Sequence, residues 1–247
     1  MVLVDAHCHL FDIKRYDIPK DIIPVVVGYS DSSNKKAFAL AKTKNYPFVL
    51  GIAPQTAIKE GLDKLESWVS FIRESKPNAI GEIGLDYKWA RNKEDVEKER
   101  ALFRKMIALA DEMRLPMVIH SRDKPNDIIR KDDGVPIAAV DECIKMMEGK
   151  RFVMHFFSGT EEQAVRAIEL GGYISIIHMR SKERRKVINS VPMDKILIES
   201  DAPFVGRTPE SIREAVDYIA EVKDMEPEIV AKMSADNAMR FFGFQGK

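Results

Sequence analysis

The sequence predicts one domain over residues 1–247, a (β/α)8 TIM barrel, and three observations predict it. The length of 247 residues is close to the ~250 typical of an eight-stranded α/β barrel. Short apolar, β-branched runs alternate with longer segments of helical period, the pattern of βα units on a parallel sheet. These runs number eight, which is the count that closes a barrel.

In chain order the predicted strands fall at 2–6, 22–28, 47–53, 79–84, 116–120, 151–156, 172–177 and 195–200. Helices fit the segments between them, most clearly at 58–76 and 93–113. In the second, Val96, Leu102, Phe103, Met106, Ile107 and Ala110 recur at spacings of three and four and form a stripe that faces a sheet. Two more helices are expected at 209–224 and 227–242, with Pro209 and Pro227 where a first helical turn accepts proline. The stretch 121–135 reads as a long loop after strand five rather than a domain boundary, because the strand rhythm resumes beyond it.

Hydrophobic residues make up 45% and charged residues 32%, a globular composition. Lys plus Arg and Asp plus Glu both count 39, so no overall cationic field announces a nucleic-acid binder and any anionic ligand must be drawn locally. Two cysteines are too few for a disulfide scaffold and point to a reducing compartment. No apolar run approaches the roughly 18 residues of a membrane helix. These features predict a cytoplasmic protein with no membrane contact and no obligate protein partner.

Of the five histidines, four sit at the downstream ends of predicted strands: His7 and His9 after strand one, His120 after five and His155 after six. Glu82 lies on strand four and Asp201 at the end of strand eight. Downstream strand ends of an α/β barrel share one rim, which carries the active site. Strand alternation points His7 and His9 the same way and Cys8 oppositely, and gives Asp5 the parity of the histidines, so Asp5 is expected to buttress an imidazole N–H or line the barrel floor. One histidine near a strand end is usually a core or loop residue, whereas four imidazoles and two carboxylates on one rim form a mixed N/O set for a divalent ion. Six ligands exceed what a single catalytic zinc takes, so two ions are expected, Zn²⁺, Mn²⁺, Mg²⁺ or Ni²⁺, with a carboxylate able to bridge them. His178, after strand seven, is expected on an exposed loop.

The motifs Val4-Asp-Ala-His-Cys-His-Leu10, Ala79-Ile-Gly-Glu-Ile-Gly-Leu-Asp-Tyr87, Leu115-Pro-Met-Val-Ile-His-Ser-Arg-Asp123, His155-Phe-Phe-Ser-Gly159, Ile198-Glu-Ser-Asp-Ala-Pro203 and Asn237-Ala-Met-Arg-Phe-Phe-Gly243, in this order, resemble the TatD family of metal-dependent deoxyribonucleases, within the amidohydrolase-like barrels. The resemblance implies that His7, His9 and Asp201 serve one ion, His120 and His155 the other, and that Glu82 bridges. A glutamate at that place, where other branches commonly carry a carboxylated lysine, favours the TatD branch. Three departures stand out. The family's usual Gly-x-His-Pro-His after strand three is here Gly51-Ile-Ala-Pro-Gln55, with Ala53 and Gln55 in place of both histidines. Segment 10–22 is short for the family's first helix, and the loop after Asp201 is reduced to Phe204-Val-Gly-Arg-Thr-Pro209.

Two divalent ions lower the pKa of a water between them and draw charge off a phosphoryl oxygen. Catalysis is therefore assigned to Asp201, which orients that water and accepts its proton, and to Glu82. Arg122 can offer a fork to phosphate, its structural alternative being an ion pair with Asp123 or Asp127. Tyr87, Trp89, Phe157 and Phe204 lie near rim motifs where aromatic faces could stack on bases, or pack rim loops. The run Arg180-Ser-Lys-Glu-Arg-Arg-Lys186 reads as a solvated helix face rather than a nucleic-acid track, Cys143-Ile-Lys-Met-Met147 as core filler, and Ser158 and Ser200 as supporting residues. The leading function is hydrolysis of DNA, single-stranded or at strand ends. The alternatives are amide or ester hydrolysis on the same barrel, as by an amidohydrolase, lactonase or D-aminoacyl-tRNA deacylase, and a non-catalytic metal-binding protein.

Overall fold

Eight strands lie side by side in chain order: β1 (Leu3–Cys8), β2 (Ile22–Val27), β3 (Phe48–Leu50), β4 (Ala79–Asp86), β5 (Met117–Arg122), β6 (Phe152–Met154), β7 (Tyr173–Ile176) and β8 (Ile196–Ile198). Every neighbouring pair is parallel, and the sheet curls until its edges meet, the TIM barrel expected from the strand count. The computed structural model describes residues 2–123 and 138–246, so most of the loop expected at 121–135, with Asp127, lies outside the described residues. At the seam Cys8 bridges Ala202 in parallel, His9 N donates to Ala202 O at 2.8 Å and Asp201 N to His7 O at 3.0 Å.

Helices α1 (Asp31–Lys44), α2 (Pro54–Glu60), α3 (Leu65–Ser75), α4 (Lys93–Met113), α5 (Ala139–Met146), α6 (Glu161–Glu169), α7 (Lys182–Ser190), α8 (Ile212–Lys223) and α9 (Pro227–Phe242) fill the connections, except that β1 and β2 are joined by only a short 3-10 turn at Leu10–Asp12. The helix expected at 58–76 is two helices, because α2 ends at Gly61, whose φ of 70° closes it in a conformation other residues rarely adopt. The expected helix at 93–113 is α4, started by the Asn92 side chain accepting from Asp95 N.

Inside the barrel, Val4, Ala6, Val25, Val27, Val49, Ala79, Val118, Val153 and Leu197 pack with Ala238, Phe241 and Phe242 of α9. The end of α9 is tied to the strand starts by Asn78 Nδ2 on Phe242 O and Arg151 Nη2 on Phe241 O. That floor is filled by apolar side chains, so polar chemistry is left to the opposite rim.

Two register breaks decide which side chains reach that rim. Between Asp5 and Cys8, β1 gains a residue on β2, and between Ile80 and Ile83, β4 gains one on β5. A bulge reverses the alternation beyond it. Val4 and Ala6 below the first bulge, and His7 and His9 above it, therefore all face inward, and Asp5 falls on the opposite face. The parity drawn for Asp5 is thereby corrected. Its carboxylate staples the seam instead, accepting from Ser200 N at 2.9 Å, Ser200 Oγ at 2.6 Å and His7 N at 3.3 Å.

Candidate metal centre

His7 and His9 leave the end of β1, Glu82 the bulge of β4, His120 the end of β5, His155 the residue after β6 and Asp201 the turn after β8. All six are brought together. The Nε2 atoms of His7 and His9 are 3.3 Å apart, His9 Nε2 is 3.4 Å and His7 Nε2 4.0 Å from Asp201 Oδ1, and the rings of His7 and His155 stack at 3.6 Å. Glu82 divides its oxygens: Oε2 lies 3.8 Å from His7 Nε2 and 4.0 Å from His9 Nε2, while Oε1 lies 2.7 Å from His120 Nδ1 and 4.0 Å from His155 Nε2. Three groups of ligand atoms, His7 with His155 and Asp201, His7 with His9 and Glu82, and Glu82 with His120 and His155, each fit within 4.8 Å.

Local backbone supports these placements. Gly84 pairs with His120 at φ 141°, and a Cβ there would stand 1.9 Å from the His120 carbonyl oxygen, so only glycine lets β4 and β5 approach this closely. Asp201 and Phe156, beside His155, both hold left-handed backbone, at φ 49° and 43°. Such conformations in non-glycine residues persist where surrounding structure enforces them.

Three imidazoles have their far nitrogen on an oxygen. His9 Nδ1 lies 2.8 Å from Val27 O and His120 Nε2 3.1 Å from Asp86 Oδ2. His155 Nδ1 stands 2.9 Å from Glu199 Oε1, an ion-pair approach off the line of a straight hydrogen bond. Oxygen partners of this kind fix the tautomer of a metal-binding histidine and leave its other nitrogen free to ligate. The donor set thus fits divalent ions held by imidazole and carboxylate.

Electrostatics agree with this. Burial alone would lift the Glu82 carboxyl, but the imidazoles of His120, His155 and His7 hold it well below the usual carboxylate range. Burial opposes a charge on His120, yet Glu82 and Asp86 push it up to about 10; burial opposes one on His155 too, and Glu199 and Glu82 push it to about 9. His7 is driven far down, by burial and then by His155 and His9. Without ions, the centre offsets its carboxylates by protonating His120 and His155, and these two must shed that proton to ligate.

Glu199 and Asp86, which sequence reasoning missed, prove to be the supports of this cluster. Glu199 is buried and also accepts from Phe156 N and Ser175 Oγ, both at 2.6 Å. Asp86 accepts from His120, from Gln55 Nε2 and from both Nε and Nη2 of Arg122, and its own N–H donates to Glu99 Oε2 at 2.8 Å. Burial and the Asp86 charge push Glu99 up to about 8 despite that N–H.

The residues expected to hold substrate fare differently. Arg122 pairs with Asp86 rather than with Asp123, so its fork is already engaged. Tyr87 is 1% exposed and its hydroxyl donates to Glu142 Oε2 at 2.7 Å, which corrects its placement as a substrate contact: its ring is core. Phe157 is buried too, whereas Trp89 and Phe204 are exposed. Arg180 and Arg185 pair with Glu221 of α8, as a solvated helix face does. Cys143, Ile144 and Met147 are core. Ser200 Oγ is committed to Asp5 and Ser158 is exposed. His178 is half-buried after β7, outside the cluster.

Comparison with known proteins places these features. The family model described as TatD related DNase matches residues 4–243. An uncharacterized metal-dependent hydrolase of Bacillus subtilis, YabD, is 30% identical, with 98% of this chain and 99% of that protein covered. Human deoxyribonuclease TATDN3 is 26% identical, with 97% and 94% covered. Among solved structures, the TatD homologue YJJV of Escherichia coli superposes with a TM-score of 0.77 at 23% identity, covering 98% of both chains, and a TatD family hydrolase of Entamoeba histolytica with 0.76 at 18%, again covering 98% of both. These two likenesses are of fold.

Proposed function

The chain belongs to the TatD-related DNase family, and from that premise we propose that this metal-dependent hydrolase is a deoxyribonuclease that cleaves phosphodiester bonds of single-stranded DNA or of strand ends. The observation that carries the reading is the divided carboxylate of Glu82, one oxygen turned to His7 and His9 and the other to His120 and His155. In this reading His7, His9 and Asp201 hold one divalent ion, His120 and His155 a second, and Glu82 is shared; the imidazoles suit Zn²⁺ and Ni²⁺, the carboxylates Mn²⁺, and so imidazole-rich a set suits Mg²⁺ least. Bound there, the ions supply Lewis acidity to a phosphoryl oxygen and bring the pKa of water towards neutrality.

The chain's own residues do the rest. Asp201 stands at the mouth with Oδ1 3.4 Å from His9 Nε2, where it orients the attacking water and accepts its proton. Asp86 and Glu199 keep His120 and His155 in the tautomer that faces Glu82. Residues 1–247 act as one barrel domain, and the free, buried Cys8 and Cys143 suit a reducing compartment such as the cytoplasm.

A second reading, amide or ester hydrolysis, is favoured by one observation: Arg122, the guanidinium expected to fork a phosphate, is spent on Asp86, as is Gln55, which stands in place of a family histidine. Metal content and degradation of single-stranded DNA, measured side by side for the wild type and Glu82→Ala, decide between them. The nuclease reading expects Glu82→Ala to lose metal and DNA cleavage together. DNA left intact by the metal-loaded wild type, with turnover on an amide and ester panel, would replace it by the second reading.

A further inference from the structure

The mouth has two unlike sides. On the β4–β5 side the side chains around the cluster are polar and hydrogen-bonded to Asp86: Arg122 and Gln55 to its carboxylate and Glu99 to its N–H. On the β1–β2–β8 side they are aromatic. Phe204, two residues past the Ala202 seam, has its ring centroid 4.9 Å from that of His9 and 6.0 Å from that of Tyr29, and Tyr29 in turn lies 5.0 Å from His9 and 6.4 Å from Phe11. Phe204 is 60% exposed. Exposed apolar residues scattered over a surface need no explanation, but this ring leans on a candidate metal ligand and is backed by two further aromatics. Trp89, on the opposite strand β4 side, differs: the Lys59 ammonium sits over its ring at 4.4 Å, so that face is taken.

We propose that Phe204, backed by Tyr29 and Phe11, is a stacking subsite for the nucleobase adjoining the phosphodiester to be cleaved. The inference rests on the nuclease reading above and specifies how the substrate is gripped. With the Arg122 fork engaged by Asp86, a stacked base supplies a hold that does not depend on that guanidinium, and a planar π-face suits any base, which makes the grip tolerant of sequence. A phenyl ring has only two side-chain torsions to order when a base stacks on it, so little conformational entropy is lost.

The test uses the full-length, metal-loaded protein with two single strands, one carrying a normal base and the other an abasic nucleotide next to the cleaved bond. KM and direct binding are read for the wild type, Phe204→Ala and Phe204→Trp, with metal content and circular dichroism as checks that the centre and fold persist. In the wild type the base-bearing strand is expected to bind about 10-fold to 100-fold more tightly than the abasic one, the range that stacking of one base supports. Phe204→Ala is expected to erase that ratio and Phe204→Trp to keep it. Cleavage of both strands with a ratio unchanged in Phe204→Ala, or with no ratio in the wild type, would overturn the subsite alone. Neither cleavage nor binding of either strand by the wild type would overturn the nuclease reading and the subsite with it.

Discussion

Replacing Asp86 by asparagine exchanges one oxygen for an amide nitrogen, and the consequences can be worked from its partners. The carboxylate accepts from His120 Nε2 at 3.1 Å, from Gln55 Nε2, and from Arg122 Nε at 2.9 Å and Nη2. Asparagine offers a single acceptor oxygen and sets two N–H donors against the rest. Hydrogen bonds to charged groups are worth about 1.5–3 kcal/mol each. The Arg122 side chain is 38% exposed and can turn to water, so its share is discounted. A cost of about 2–3 kcal/mol remains, mostly from the opposed Gln55 amide and the weakened His120 contact, which for a chain of this size lowers the melting temperature by roughly 5–10 °C. Because a carboxylate partner orients the metal-binding imidazole, divalent-metal affinity should fall by about 10-fold to 100-fold. His120 and Arg122 hold Asp86 below the ordinary carboxylate range against the pull of burial. Its stabilising effect is therefore present above that ordinary range and is lost as pH falls through the lowered value, so wild type and variant should converge in acid. Thermal melts in chelator across pH, with competition against a chromophoric chelator for metal, measure both. Unchanged metal affinity in a folded Asp86→Asn would refute the positioning of His120 by Asp86.

Metal binding should also release protons. His120 is held up to about 10 and His155 to about 9 in the metal-free centre, and neutral imidazoles are needed to ligate, so affinity should rise with pH towards those values; calorimetry at pH 8 in buffers of different ionisation enthalpy reads the released protons, and a buffer-independent heat would count against it. Glu99 is lifted to about 8 by burial and by Asp86, and its Oε1 has no hydrogen-bond partner among the described residues. A carboxyl raised in the folded state binds more protons there than in the unfolded chain, so it removes stability as pH climbs from its ordinary value of 4.5 to about 8; Glu99→Gln should flatten that slope in urea midpoints taken over this range, and an unchanged slope would refute it.

The alternation of apolar runs made the barrel legible because strands buried on both faces must be apolar along their whole length, and the position of His7, His9, Glu82, His120, His155 and Asp201 at strand ends made their convergence legible too. Asp5 was misplaced because simple period-two parity does not survive the bulge in β1. The same kind of break in β4 aims Glu82 inward, so the cluster depends on a feature that no hydrophobic pattern announces. Tyr87 follows a glycine-rich strand and gave no sign that its hydroxyl would be drawn to Glu142, a residue of α5 far along the chain. Arg122 was read for its charge, while its partner is set by strand pairing, Asp86 lying opposite it across β4 and β5. Glu199 could have been found: it stands two residues before Asp201 at a strand end, the spacing that singled out His7 and His9.

The metal centre itself is tested most directly by anomalous scattering from crystals of the protein equilibrated with Mn²⁺. Two peaks are expected, one beside His7, His9 and Asp201 and one beside His120 and His155, with Glu82 reaching both, and Glu82→Ala should abolish or displace them. Peaks found only elsewhere on the protein, or none at Mn²⁺ concentrations that support turnover, would contradict it.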